Sequence, residues 1–213
     1  MLLSLSQAIL IATMIQIFSI FCKLNQISLS DRQWVEKETE SLLSPDHACP
    51  VCHAHGSLSP FASYTRCLVE REKGKPAVHE IVIKRFQCRS CGHTHARVSS
   101  ALVPYSSYSL RFILQTLRDY FLGRACVQYI CDRAGIAVST LYRWKNLFIR
   151  HKALWMEALK ELHAARPVEF VENMDGHFLQ NFYQTFLLSF LQSRHSGHPE
   201  SSPGEVKTPS AAT

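Results

Sequence analysis

The sequence lacks the short motifs that mark common catalytic sites. It contains no glycine-rich phosphate-binding loop, no His-Glu-x-x-His and no nucleophile elbow. After Arg150 nothing supplies the several carboxylates on an α/β core that a two-metal catalytic site needs. Asp175, with Glu169 and Glu172 nearby, is the one acidic cluster there, and we expect an edge strand or a loop around it. We therefore predict no catalytic residues, no small-molecule substrate and no enzymatic activity.

Charged side chains are missing from the first 22 residues. As a helix this segment would span about 33 Å, enough to cross a bilayer core. It has no basic start and no small-residue cleavage site, which argues against a secretory signal. Three interpretations of residues 1–24 stay open: a membrane anchor, an amphipathic packing helix, and upstream sequence read from a wrong start. If the segment inserts, Lys23, Arg32 and Lys37 favour a cytoplasmic position for the rest of the chain.

The eight cysteines lack the regular spacing of a secreted disulfide scaffold. We therefore predict a cytoplasmic protein, or a membrane-anchored one whose remaining domains face the cytoplasm. Half of the cysteines have no predicted function, and these are Cys22, Cys67, Cys126 and Cys131.

The other four cysteines form two Cys-x-x-Cys pairs, Cys49 with Cys52 and Cys88 with Cys91. A two-residue spacer turns both sulfurs of a pair to one side, and two pairs complete the tetrahedral shell of structural zinc. The sequence therefore predicts a closed Zn²⁺ site on which folding depends. Since four thiolates fill the shell, we expect nearby histidines to hydrogen-bond around the site or to be exposed, with His93 or His95 as the substitute ligand. The histidines of this region are His47, His53, His55, His93 and His95.

Positive charge is concentrated in one part of the chain. Residues 49–150 hold 15 Lys and Arg against 5 Asp and Glu, a net charge of +10, whereas the rest holds 8 against 12. Such a segment attracts polyanions, and nucleic acid is the commonest partner of a basic zinc-bearing module. A solvated basic surface is the alternative.

Hydrophobic periodicity and turn residues divide the chain. We predict a hairpin of strands over 61–69 and 79–88, a helix capped by Ser106 or Ser107 and ended by Gly123, and a further helix over 178–192. The expected segments are an apolar segment (1–24), a short polar helix and linker (28–46), a zinc ribbon (47–104), a helix-turn-helix bundle (105–165), a C-terminal helical segment (166–192) and a disordered tail (193–213).

A helix over 127–134, a turn at Gly135 and a helix from Ser139 to about Arg150 have the spacing of a helix-turn-helix. Cys131, Gly135 and Leu141 supply the small, positive-φ and apolar residues that this motif requires. A helical hairpin that only packs is the alternative. The second helix would present side chains to a major groove, and basic residues of the hairpin would add phosphate contacts. The predicted DNA-binding residues are Ser139, Thr140, Tyr142, Arg143, Lys145, Asn146, Lys84 and Arg85.

Phenylalanines recur at four-residue steps, at Phe178, Phe182, Phe186 and Phe190. Such a stripe is usually core. A homodimer face, suited to a DNA binder that reads two half-sites, and a dock for a partner protein are the alternatives.

Four stretches occur together: Cys49-Pro-Val-Cys52, Cys88-Arg-Ser-Cys91-Gly-His-Thr-His95, Leu102-Val-Pro-Tyr105, and Ile130-Cys-Asp-Arg-Ala-Gly135 continuing to Trp144. Together they resemble an uncharacterised bacterial family, often labelled only as a domain of unknown function, that couples a zinc-binding domain to a helix-turn-helix. That unit is similar to the DNA-binding region of insertion-sequence transposases. The sequence departs from the pattern at His53, where Gly is more usual, and at 97–100.

We therefore predict an α+β protein, a zinc ribbon followed by a helix-turn-helix bundle, that binds duplex DNA without catalysis. The alternatives are a transposase remnant with no independent activity and a zinc-dependent adaptor that contacts protein through its Phe-rich helix.

Overall fold

The computed structural model describes residues 14–18, 20, 22–40, 47–159 and 166–193. Within these residues the fold is α+β, as predicted, with one four-stranded sheet and six α-helices. The strands are β1 (Met14–Ile17), β2 (Leu58–Glu72), β3 (Lys75–Cys88) and β4 (Thr94–Ser99), and the helices are α1 (Asp31–Glu40), α2 (Leu110–Leu122), α3 (Val127–Ala134), α4 (Val138–Leu159), α5 (Pro167–Asn173) and α6 (Gly176–Phe186). The strand order in the sheet is β1-β4-β3-β2.

The predicted hairpin is confirmed, and it is longer than the sequence pattern indicated. Strands β2 and β3 pair antiparallel from Glu72 opposite Lys75 to Leu58 opposite Cys88. The two residues between them, Lys73 and Gly74, have φ of 47° and 81°, as a tight two-residue hairpin requires. This register returns the chain to the start of β2 when it reaches Cys88.

The sheet continues through two strands that the sequence did not indicate. Strand β4 pairs antiparallel with β3, and β1 pairs parallel with β4, Met14 lying opposite Ala96. Met14–Ile17 are thus extended, although the predicted apolar segment was considered as a helix. Residues 1–13, 19 and 21 of that segment lie outside the described residues. In the part of the chain that the structure describes, no helix is both long enough and apolar enough to cross a membrane.

Helix α1 confirms the predicted polar helix, and buried polar contacts fix it to β4. Glu38 is fully buried and accepts hydrogen bonds from the Ser99 hydroxyl (2.5 Å) and the Ser100 amide (2.8 Å). The Arg97 guanidinium donates to the Glu38 carbonyl at 3.2 Å. A buried carboxylate with these partners holds the helix in one position. The following residues, 41–46, lie outside the described part.

Helix α2 begins three residues after the nearest predicted cap. Its N-cap is Ser109, whose hydroxyl accepts from the Phe112 amide at 3.0 Å, so the prediction of Ser106 or Ser107 was wrong. The predicted end is confirmed, since Gly123 has φ 64° and donates to the Tyr120 carbonyl. Helix α3 matches its predicted range, and α4 continues to Leu159.

The C-terminal part differs from prediction in two places. The segment around Glu169 and Glu172, expected as an edge strand or a loop, is helix α5, with a proline in its first turn. Helix α6 ends at Phe186, before the predicted end at 192, because Leu187 adopts φ 49°. Asp175 caps α6 by accepting from the Phe178 amide at 2.8 Å. The predicted disordered tail lies, from residue 194 onward, outside the described residues.

One hydrophobic core joins the sheet to the helices. Buried side chains of α1, β3, β4, α2, α3, α4 and α6 belong to a single cluster. The phenylalanine stripe is part of it: Phe182 is fully buried, Phe190 is buried, and the Phe178 ring lies 5.2 Å from that of Trp155.

Candidate functional site

The four sulfurs of the two Cys-x-x-Cys pairs meet at one end of the β2–β3 hairpin. All four Sγ atoms lie within 4.8 Å of one another. Cys49 Sγ is 3.7 Å from Cys91 Sγ, and Cys52 Sγ is 3.6 Å from Cys88 Sγ. A regular tetrahedron of thiolates with metal–sulfur distances of about 2.3 Å has edges of about 3.8 Å. This group of four, the cysteine cluster, is therefore compatible with a bound metal ion.

Two backbone loops of the same geometry carry the sulfurs. In the first cysteine loop (residues 49–54), the His53 amide donates to the Cys49 carbonyl at 2.9 Å and the Cys49 amide donates to Ala54 at 3.0 Å. The second cysteine loop (residues 88–93) repeats both bonds at 2.8 and 2.9 Å. The residue after the second cysteine has positive φ in each, 58° at His53 and 74° at Gly92. Each loop thus aims two sulfurs and several amides at a common centre.

The thiols of the cluster have unequal acidities. A hydrogen bond with the Ser57 hydroxyl, at 3.3 Å, and backbone amides of the second loop lower the pKa of Cys88 to about 5. The His93 amide lowers the pKa of Cys91, but burial and the other three sulfurs outweigh it and raise that pKa to about 12. A metal ion at the centre of the cluster would favour the thiolate form of all four cysteines.

His95 is the histidine that the fold brings to the cluster. It is fully buried on β4, and its Nε2 lies 3.3 Å from Cys49 Sγ. This contact fits the predicted hydrogen-bonding role around a four-sulfur shell. His47 is half-buried, whereas His53, His55 and His93 are exposed.

Helices α3 and α4 meet at a tight turn. Gly135 has φ 62°, and its amide donates to the Cys131 and Asp132 carbonyls, which ends α3. The Ile136 amide donates to the Cys131 carbonyl at 3.0 Å. Cys131 and Leu141 are both buried, so the three residues singled out by spacing occupy the expected environments.

One side of α4 is packed and the other is open. Leu141, Trp144 and Phe148 are buried. Four of the predicted DNA-binding residues are exposed at helical spacing, which places them on the opposite side. We call this set the α4 face, and it consists of Ser139, Tyr142, Arg143 and Asn146.

The remaining predicted DNA-binding residues are either half-buried on α4 or located on β3. Thr140 and Lys145 are half-buried, and Lys145 Nζ lies 5.6 Å from the centre of the Tyr120 ring. Lys84 is exposed, and Arg85 donates to the Thr94 hydroxyl at 2.5 Å. Pro76, at the start of β3, lies beside the α3–α4 turn. Lys84 is eight residues further along the same strand, which places it about 26 Å from Pro76. The structure therefore does not bring Lys84 and Arg85 next to the α4 face.

The sequence pattern did not indicate one residue at the cysteine end of the hairpin and three at its turn. Ser57 contacts Cys88, and its carbonyl accepts from the Arg89 amide at 2.8 Å, a contact between loops that the local sequence does not indicate. At the other end, Glu70, Glu72 and His79 bring three metal-binding side chains together. Alternation of Glu70 and Glu72 on one strand is the signal that could have indicated a shared face.

With a four-cysteine cluster on a mixed α+β fold, this chain is a candidate metal-binding protein. Residues 49–144 match the model of a family described as a domain of unknown function (DUF6431). The match begins at the first cysteine of the cluster and ends at Trp144, so it spans the cluster, the hairpin and the α3–α4 turn. It covers somewhat less than half of the chain. Searches of curated proteins and of solved structures found no match.

Proposed function

We propose that this protein binds duplex DNA through the α4 face and carries a structural Zn²⁺ in the cysteine cluster. The cysteine loops and hairpin would then form a zinc ribbon, and α3 and α4 a helix-turn-helix. The four-thiolate donor set supports zinc, because soft thiolates at tetrahedral spacing favour that ion. A shell closed by four protein ligands leaves no position for a reaction, so catalysis is not part of the proposal.

The observation that carries DNA binding is the division of α4 into two sides. Leu141, Trp144 and Phe148 hold the helix on the core, and the opposite side presents Arg143 and Asn146 to solvent. Arg pairs bidentately with guanine and Asn with adenine in a major groove, while hydroxyls suit phosphates. The excess of Lys and Arg over residues 49–150 would add attraction to the DNA backbone.

The adaptor hypothesis has less support. It needs an accessible phenylalanine stripe, but Phe182 and Phe190 are buried, and Phe178 and Phe186 pack against Trp155. A homodimer that reads two half-sites would need another surface for its interface.

The test is DNA binding by the purified full chain, measured by mobility shift on sites selected from a random-sequence duplex pool. We expect Arg143→Ala to cost about 1–3 kcal/mol of binding free energy and to relax base preference at one position. Lys84→Ala should instead weaken binding evenly across sequences and reduce the salt slope by about one, as loss of a single phosphate contact does.

Arg32→Ala is the matched control, because Arg32 is an exposed arginine on α1 that pairs with Glu36 at 2.8 Å. Its removal lowers the positive charge by the same amount outside the matched region. If Arg143→Ala and Arg32→Ala weaken binding equally, the α4 face does not read DNA. If wild type shows no binding to any duplex, the proposal fails as a whole.

A further inference from the structure

Glu70, Glu72 and His79 form a second group of metal-binding side chains, near the turn of the β2–β3 hairpin. His79 lies opposite Leu68 in the register, so Glu70 and Glu72, two and four residues further along β2, share its side of the sheet. His79 Nε2 is 2.9 Å from Glu72 Oε1 and 3.2 Å from Glu70 Oε1. We call these three residues the Glu-His cluster.

Glu70 is buried, and a backbone amide of α1 fixes its side chain. Its side chain is 2% exposed, and its Oε2 accepts from the backbone amide of Asp31 at 2.5 Å, at the start of α1. Its other oxygen, Oε1, is buried and makes no hydrogen bond, and His79 Nε2 makes none either, although the two atoms are 3.2 Å apart and His79 Nε2 is 2.9 Å from Glu72 Oε1. Two buried polar atoms thus face each other at a geometry that is not a hydrogen bond, which a native fold normally avoids.

The charges around the cluster favour a cation. Asp31 adds a third carboxylate beside Glu70, and Arg111 is engaged with Asp31 at 2.6 Å. Lys75 lies opposite Glu72 but makes no ion pair with it among the described residues. Burial raises the pKa of Glu70, and the charge of Asp31 adds to the increase. A bound cation would stabilise the ionised carboxylate.

We propose that the Glu-His cluster binds a divalent transition-metal ion through one imidazole nitrogen and two carboxylates. Metal–ligand distances of about 2.0–2.2 Å place tetrahedral ligands about 3.3–3.6 Å apart, slightly further than the 2.9 and 3.2 Å observed without an ion. Three protein ligands leave a coordination position for water, in contrast to the closed cysteine cluster. The Glu72 side chain is 51% exposed and gives the ion access from solvent. This site is independent of DNA binding.

The test uses Mn²⁺, which prefers carboxylate oxygens to thiolate ligands. The full chain first receives one equivalent of Zn²⁺ for the cysteine cluster. It is then titrated with Mn²⁺, and free Mn²⁺ is followed by electron paramagnetic resonance. We expect about one Mn²⁺ per chain in wild type, and a dissociation constant raised at least about tenfold in both Glu72→Gln and His79→Gln.

Glu80→Gln is the matched control, because Glu80 is an exposed carboxylate on the opposite side of β3, across from Cys67. It should leave Mn²⁺ affinity within about twofold of wild type, because successive side chains of a strand point to opposite faces of the sheet and Glu80 therefore does not reach the ion. If Glu72→Gln and Glu80→Gln weaken Mn²⁺ binding equally, surface charge explains the effect and the proposed site is wrong. Absence of Mn²⁺ binding to wild type would also overturn it, leaving His79 as an ion-pair partner of two glutamates.

Discussion

At the residue level, His53 and Gly92 occupy the same place in the two cysteine loops. Both have positive φ and both amides donate to the first cysteine of their loop. A side chain in this backbone region costs about 1–2 kcal/mol, which glycine avoids. The difference between His53 and Gly92 therefore affects backbone strain and stability, since the hydrogen bonds of the two loops are the same.

We expect His53→Gly to raise the free energy of unfolding by about 1 kcal/mol, because the imidazole is exposed and the relieved strain exceeds the added entropy of the unfolded chain. Gly92→Ala should lower it by a similar amount. Open space surrounds Gly92, so strain alone would act. Denaturant unfolding of both variants checks this. A loss of stability in His53→Gly would show that His53 contributes contacts of its own.

At the level of elements, the start of α2 shows how a tertiary contact selects among equivalent residues. Ser109 is buried, and its hydroxyl accepts from the Phe112 amide and donates to Asp31 Oδ2 at 2.5 Å. We expect Ser109→Ala to destabilise the protein by about 1–2 kcal/mol. Ser107→Ala, at the exposed residue that local sequence favoured as a cap, should change stability by less than about 0.5 kcal/mol. Thermal unfolding of the two variants measures the difference in stability. Equal effects would show that Ser109 does not act as the N-cap.

The sequence predicted those elements whose determinants are local. The β2–β3 hairpin, the end of α2 at Gly123 and the α3–α4 turn at Gly135 follow from glycine positions and apolar spacing. Strand β1 was missed because its pairing joins residues about 80 apart, as in Met14 with Ala96. Apolar periodicity alone does not separate such a short strand from a helix.

In the candidate site, too, the features with local determinants were predicted and those that depend on strand register were not. The convergence of four cysteines was predicted from two spacers and a hairpin, and the structure agrees. The contact of Ser57 with Cys88 and the meeting of Glu70 with His79 depend on register, which the sequence leaves undetermined. The C-terminal error has a local cause: β-branched Val168 and Val171 favoured a strand, but Pro167 starts a helix there.

At the level of the whole molecule, the shared core indicates that metal removal should unfold only part of the chain. The sequence alone suggested that folding depends entirely on zinc. The core, however, joins the sheet to α2, α3, α4 and α6, away from the cysteine cluster. We expect chelation to lower the melting temperature and to release hydrogen-exchange protection in residues 47–57 and 88–93, while α2 stays protected.

Cys49→Ser should reproduce the effect of chelation, since it removes a buried ligand, and Cys67→Ser should not, because Cys67 is exposed on the hairpin. Elemental analysis gives the zinc content of each. Unchanged protection after exhaustive chelation would contradict metal binding at the cluster. Loss of protection throughout α2 would show that the ion supports the entire fold.

Strand β1 has a practical consequence for shortened versions of the protein. Residues 14–17 cover the outer edge of β4, and the Ser100 amide donates to the Ile17 carbonyl at 3.0 Å. A recombinant fragment beginning at residue 25 would present that edge bare, with its unpaired amides and carbonyls available to any other chain. Trimming the apolar start to improve handling would therefore produce a protein more prone to aggregate than the intact one.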